Sequence, residues 1–325
     1  MRRRFIGMAP ALFMGAILAG VGGAAAQSGY PNKPIRIITP YATGSSVDAV
    51  ARIVGTKLSE ALGQPALVEP RPGANTIIGS EAMVKSAPDG YTFLLISTTH
   101  VLNGLMIPNL PYDTARDFAP VATIASSELI LVASPKLAAS NIKELIALGK
   151  SKQLSYATSS AGGPTHLAAE LFSSMTGVKL THIPYKGSGP AVTDLLGSHV
   201  DIGWTSPLAV IPHINAGKLK AIAISGDSRA PSLPNVPTFT ESGLPGFEMR
   251  FWYGLLAPAA TPRDIVNRVS AEVAKILATA DMKDKLATQG ADPFISSPDQ
   301  FAAIMKADSA RYGKVIREAG IKAAP

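Results

Sequence analysis

Strand-like and helix-like stretches alternate along this chain, and that alternation predicts an α/β protein assembled from βαβ units with parallel sheets. Two apolar runs, 121–134 and 251–257, interrupt it and read as strands that carry the chain out of one lobe and back, a natural pair of crossing hinge strands. A length of 325 residues exceeds a single-core domain. Two lobes are therefore expected, residues 27–126 with 249–325 as the first and 127–248 as the second.

The elements follow in order. Residues 35–39 form a buried strand, and Val47, Val50, Ala51, Val54, Leu58 and Leu62 then recur at helical spacing until Gly63 supplies a stop. Strands are expected at 66–69, 92–97, 128–133, 154–157, 180–183, 201–204 and 219–225, with helices filling most gaps. Pro190 suits a first helical position and Gly197 the end of that helix; Ser206 and Pro207 read as the cap and first residue of another. The segment carrying Pro231, Pro234, Pro237 and Pro245 also carries Phe239, Leu244 and Phe247, so it reads as an ordered connection that docks on the surface.

Arg2, Arg3 and Arg4 precede an apolar run over 5–23 that closes on Ala24, Ala25 and Ala26 before Gln27, the pattern of a secretory signal peptide spanning 1–26. A membrane anchor is the rival, but Pro10 and the glycines of the run make a poor stop-transfer segment. The chain has no cysteine, which excludes lipid attachment at a mature N-terminal Cys and any disulfide framework. Export without disulfides points to a soluble periplasmic protein. Cleavage would remove three Arg and no acid, taking the formal charge from +7 to +4. The remaining Lys and Arg are scattered singly, which argues against a nucleic-acid footprint.

Two loops hold the chemistry. Tyr41, Ala42, Thr43, Gly44, Ser45 and Ser46 follow the first strand, with Ser45 or Ser46 placed as a helix cap and Asp48 in the first turn. Thr158, Ser159, Ser160, Ala161, Gly162, Gly163, Pro164, Thr165 and His166 follow the strand at 154–157. The N–H groups at a helix start have no partner within the helix and carry its positive dipole end, so each loop reads as a seat for a carboxylate or phosphate. Lys186, in the loop after 180–183, faces ligand or solvent, and Trp204 at a strand end is either a pocket wall or core. Simple capping is the plain alternative for the first loop. Ser45 or Ser160 with His166 and Asp48 can be drawn as a hydrolase triad, but no G-x-S-x-G elbow is present. The five histidines, spread from His100 to His213, give no metal signature, and no cofactor is expected.

At these residues the chain resembles, along essentially its whole mature length, the extracytoplasmic solute receptors of the tripartite tricarboxylate transporter family, also called Bug receptors. The matching stretches are 30–40, 41–48 with Ala51 and Arg52, 62–65, 69–73, 87–91, 110–118, 156–166, 183–187, 194–196, 212–219 and 254–262. Each is weak alone, while their order and spacing together are specific. The resemblance implies a type II periplasmic binding fold, two α/β lobes joined by crossing hinge strands, closing as a monomer on a small carboxylate. It also implies delivery to a permease of one large and one small membrane subunit. By the same resemblance the ligand is held at Tyr41, Thr43, Gly44, Ser45 and Ser46 and at Ser159, Ser160, Ala161, Gly162, Gly163, Thr165 and His166, largely through backbone N–H groups and water. The chain departs from relatives in having Ser45 for a frequent Gly, Val47 for a frequent Thr and Thr205 for a frequent Asp. Without an acid at Thr205 a second ligand carboxylate meets less repulsion, and Tyr41 and Trp204 are placed to flank a flat body, so a dicarboxylate is expected and terephthalate is the sharper choice. A periplasmic sensor presenting the same loaded form is the alternative function, and a hydrolase the third.

Overall fold

The computed structural model describes residues 29–159, 162–185, 187–226, 228–230, 233–247 and 249–319. The expected signal peptide, Ser160, Ala161 and Lys186 lie outside the described residues. All elements named below belong to the unit spanning 31–325.

The first sheet begins with β1 (Ile35–Thr39), β2 (Ala66–Pro70) and β3 (Thr92–Ser97), which pair in parallel, and is completed by β4 (Phe118–Glu128). Between them run α1 (Ser46–Leu62), α2 (Ile77–Val84) and α3 (Thr99–Met106). The second sheet contains β5 (Ile130–Ala133), β6 (Leu154–Thr158), β7 (Leu180–Pro184), β8 (Ile202–Thr205) and β9 (Lys220–Ile224). Its helices are α4 (Ile142–Ser151), α5 (Pro164–Thr176), α6 (Ser188–Gly197) and α7 (Pro207–Asn215). The chain then returns through β10 (Arg250–Pro258) to α8 (Arg263–Leu277), α9 (Ala280–Ala287), the short β11 (Asp292–Pro293) and α10 (Pro298–Ala319). Strand order is β11-β4-β10-β3-β1-β2 in one sheet and β7-β6-β8-β5-β9 in the other.

Both sheets are mixed rather than parallel. β10 runs antiparallel to β3 and β4, and β5 runs antiparallel to β8 and β9. Periodicity reads which residues are buried but not strand direction, so the crossing strands were legible and their orientation was not. The passage between sheets is interrupted at Leu129, where the expectation was one continuous strand over 121–134. Ser127 and Glu128 still pair with Phe251 and Arg250 in the first sheet. Ser225 fastens this crossing: its N–H donates to Leu129 O at 2.9 Å, its Oγ accepts from Leu129 N–H at 2.9 Å and donates to Met249 O at 2.7 Å.

Large side chains fill each half. Trp252, Phe93 and Phe301 are fully buried on the first sheet, and Phe301 packs on the backbone of Gly254, where any Cβ would fall 2.2 Å from the ring. On the second, Tyr156, Trp204 and Phe172 interlock, with Trp204 edge-on to Tyr156 at 6.2 Å. Phe239 and Phe247 are buried and stacked at 3.8 Å, which anchors the proline-rich return segment. Helix ends follow the sequence signals unevenly. Gly63 takes a left-handed φ of 67° as expected, whereas α6 begins at Ser188, placing Pro190 at its third residue. Its left-handed residue is Ser198, not Gly197. Ser206 precedes α7 with Pro207 as first residue, but the Ser206 side chain makes no capping bond. Among the described residues no helix is long and apolar enough to cross a membrane.

Candidate functional site

Both glycine and hydroxyl loops lie at the carboxyl ends of parallel strands and open helices, the first between β1 and α1 and the second between β6 and α5. This is where α/β sheets place ligands, because strand ends and helix N-termini leave N–H groups pointing outward.

The first loop is bound to itself. Gly44 adopts φ 84°, and its N–H donates to Asp48 Oδ2 at 3.0 Å. Ser45 is the cap, its Oγ accepting from Asp48 N–H at 3.2 Å. Arg52, one turn on, donates to the same Oδ2 at 2.9 Å. Burial alone would raise the Asp48 carboxyl, but the Arg52 guanidinium and the Gly44 N–H hold it below the usual carboxylate range. Asp48 Oδ1 is buried without a hydrogen-bond partner in the protein. Tyr41 bonds Ser97 Oγ at 2.6 Å, and Ser46 Oγ lies 3.5 Å from the Tyr253 hydroxyl. Thr43 is exposed.

The second loop is held by Thr165 and His166. Thr165 Oγ1 accepts from Ser159 N–H at 3.3 Å and lies 3.3 Å from Ser159 Oγ. Gly162, at φ 72°, donates its N–H to His166 Nδ1 at 3.0 Å. Gly163 precedes α5 in an extended conformation. Beneath the loop, His166 stacks on His182 at 4.0 Å, and His182 on Tyr156 at 4.9 Å. Tyr156 donates to Glu170 Oε1 at 2.6 Å, and His166 Nε2 lies 3.6 Å from that oxygen. Burial, with the neighbouring His166 adding to it, pushes the His182 imidazole down to about 4.

Several expectations resolve differently. Trp204 is 2 % exposed, its ring enclosed by Tyr156 and Phe172, so it is core and offers no wall to a ligand. Asp48 on α1 is committed to Arg52 while His166 on α5 accepts from a backbone N–H, so the Asp48 and His166 of the triad drawn with Ser45 or Ser160 are not joined. Among the described residues no hydrogen bond or ion pair joins the two loops, and no group of three metal-ligating side chains occurs. Among the described residues, concavities of about 500, 310 and 430 Å³ lie at 104–117, beside Ser225 and Trp252, and between Lys57 and Glu272, away from the loop residues.

Sequence reasoning missed one neighbour of the first loop. Gly73, Ala74, Asn75 and Thr76 run with φ 133°, 45°, 49° and 76°, directly after β2, whose Pro70 pairs with Thr39. Non-glycine residues in this region cost about 1–2 kcal/mol each. Asn103 from α3 holds the run, its Nδ2 donating to Asn75 O at 2.7 Å and Thr76 Oγ1 at 3.0 Å while its Oδ1 accepts from Asn75 Nδ2 at 2.7 Å. Gly73 and Asn75 were the available signal; Ala74 and Thr76 disfavour such φ and masked it. The buried hydroxyls Thr39 Oγ1 and Thr205 Oγ1, each at the carboxyl end of a strand, have no hydrogen-bond partner in the protein.

Comparison with known proteins agrees with this architecture. The chain is 38% identical over 308 residues to Protein BugT of Bordetella pertussis, covering 94% of each. A Rhodopseudomonas palustris structure titled Rpa4515 with adipate superposes with a TM-score of 0.77 at 33% identity, covering 91% of this chain and 100% of that one. MatC of the same organism, with bound malate, gives 0.72 at 29%, covering 88% and 100%. The architecture is the two-lobed α/β class of periplasmic binding proteins expected here. Residues 50–321 match the model of the tripartite tricarboxylate transporter family receptor, and the chain belongs to that family.

Proposed function

We propose that this chain is a periplasmic solute receptor that captures a small dicarboxylate between its lobes, 27–126 with 249–325 and 127–248, and delivers it to a permease of one large and one small membrane subunit. The observation that carries the reading is the pair of strand-to-helix loops, each with a glycine at positive φ that lets backbone N–H groups approach an anion. The contacts assigned are Thr43, Gly44, Ser45 and Ser46 on one side and Ser159 to Thr165 on the other. The orphaned hydroxyl of Thr205, at the end of β8, is available to the distal carboxylate. Relatives of known structure hold adipate and malate, which supports the carboxylate class.

Magnitudes are consistent. Hydrogen bonds to a charged group contribute about 1.5–3 kcal/mol each. Four or five of them offset the association cost and leave about 8 kcal/mol, a micromolar constant. With Trp204 enclosed, the aromatic variant of the ligand rests on Tyr41 alone, so an aliphatic dicarboxylate is the better fit and terephthalate the second arm of the test. Titration calorimetry with adipate, malate and terephthalate is expected to give micromolar binding for at least one; heats seen only with amino acids or sugars overturn the reading. Export follows from the same function, and N-terminal sequencing of the periplasmic form is expected to begin at Gln27.

A further inference from the structure

The returning strand β10 turns its two faces to different neighbours. Trp252 points to α10, where its Nε1–H donates to Asp308 Oδ2 at 2.8 Å. Alternation puts Phe251 and Tyr253 on the opposite face, and their rings meet edge to face at 5.1 Å. That face leads to both halves of the molecule. At one end the Tyr253 hydroxyl lies 3.5 Å from Ser46 Oγ, in the first loop. At the other, Ser127 pairs with Phe251 across the ladder, shares its face, and donates its Oγ–H to Gly290 O at 2.7 Å. Gly290, at φ 66°, lies in turn against α7: a Cβ there would fall 2.7 Å from Leu208 Cβ. Three residues before Leu208 is Thr205, whose buried hydroxyl has no partner in the protein.

Phe251 is half-buried and Leu208 is 47 % exposed. A lone exposed apolar side chain on a surface is ordinary. These two stand on opposite sides of the crossing, joined through Ser127 and Gly290, with a polar group beyond each: Ser46 of the first loop and Thr205 at the end of β8. A molecule that matches this sequence of surfaces has two polar ends and a hydrocarbon middle. The hydroxyl hydrogens along the strip are already directed elsewhere, that of Ser127 to Gly290 O and that of Tyr253 to Ser46. A ligand hydroxyl laid over Phe251 gives up its water and gains no donor there.

We infer that Phe251, with Leu208, forms the apolar wall for the body of the ligand and selects carboxylates joined by plain methylene groups over carboxylates joined by hydroxylated carbons. The inference rests on the proposed receptor function and deepens it. Loops that hold carboxylates through N–H groups read only the ends of a ligand; the wall reads what joins them. Each methylene that leaves water raises affinity about three- to fourfold, and a hydroxylated carbon in its place forfeits that gain.

The test compares two six-carbon dicarboxylates of equal chain length on the full chain: adipate, with four methylenes, and galactarate, with four hydroxylated carbons. Calorimetry is expected to show adipate bound at least thirtyfold more tightly by the wild type. Phe251→Ala is expected to weaken adipate about tenfold or more and to narrow the adipate-to-galactarate ratio by a similar factor, and Phe251→Leu to restore most of both. A Phe251 that served the fold alone would weaken both ligands together and leave the ratio unmoved. Leu208→Ala, at an exposed position with little consequence for folding, is expected to narrow the ratio about threefold, and it decides the matter if Phe251→Ala does not fold. Galactarate bound as tightly as adipate, or a ratio that neither position moves, overturns the inference and leaves the receptor reading intact. If no dicarboxylate binds, the ligand class falls and the inference falls with it.

Discussion

The two glycine and hydroxyl loops use the same residue types and are tied down by different means. Loop one is closed by a permanent ion pair, Asp48 with Arg52, and the carboxylate itself occupies the Gly44 N–H. Loop two is closed by an imidazole, His166, whose Nδ1 accepts from the Gly162 N–H. Beneath them the contrast repeats: Tyr41 rests on a single hydroxyl, Ser97, while His166 rests on a stack of His182 and Tyr156 braced by Trp204.

The deepest difference is in the floors, and it predicts the largest effect. Trp204→Ala empties a fully buried site between Tyr156 and Phe172, and is expected to destabilise the protein by about 3–5 kcal/mol in urea denaturation. Tyr41→Phe, under the other loop, removes one hydroxyl contact and is expected to cost only about 1 kcal/mol. Equal costs would mean that both loops stand on the same kind of support.

The two loops were also unequally legible. Ser45 with Asp48 three residues later is a local signal, and the cap formed as the spacing implied. His166 was visible as a loop residue, but its bond to Gly162 depends on a left-handed glycine and a ring rotamer that no pattern encodes. Its stacking partner His182 lies on β7, where the parallel register pairs it with Tyr156, and the contact with His166 spans sixteen residues of chain. Trp204 was ambiguous because a residue at a strand end faces core or solvent according to a helix that packs later; here α5 covers it. Length, the crossing runs and strand positions came from burial patterning, which is local. Strand direction and the left-handed run held by Asn103 are tertiary outcomes, and sequence periodicity is silent on both.

Loop one's ion pair gives an intermediate effect with a defined pH signature. Asp48→Asn keeps an oxygen for the Gly44 N–H but removes the charge facing Arg52, which is half exposed, so the expected loss is about 1–2 kcal/mol. The folded carboxyl lies below its unfolded value of 3.8. Its contribution is therefore fully present above that value and is lost as pH falls through the folded one. The gap between wild type and Asp48→Asn is expected to be constant from about pH 8 to 5 and to close below about pH 4. A gap that widens in acid would show that another group ties the loop.

The smallest stability effect is expected at Thr165, and there the comparison is sharpest. Its Oγ1 holds Ser159 through two contacts of 3.3 Å, long for hydrogen bonds, so Thr165→Ala is expected to cost under about 1 kcal/mol of folding stability. What it removes is order in the ligand-free loop. Fixing the backbone of one loosened residue costs about 1–2 kcal/mol, and ligand binding must then supply it, which corresponds to roughly a tenfold weaker constant. Ser45→Ala in loop one differs: the cap belongs to α1, so a loss of about 1 kcal/mol falls on the folded protein whether or not ligand is present, and any affinity lost with the assigned Ser45 contact comes with that stability loss. Dicarboxylate titrations paired with urea denaturation on both variants separate the two. An affinity loss at Thr165 without a matching stability loss marks loop two as the segment whose shape the ligand must complete, because only a group tied more weakly than the fold itself transmits its disorder to the binding step and not to the folding equilibrium.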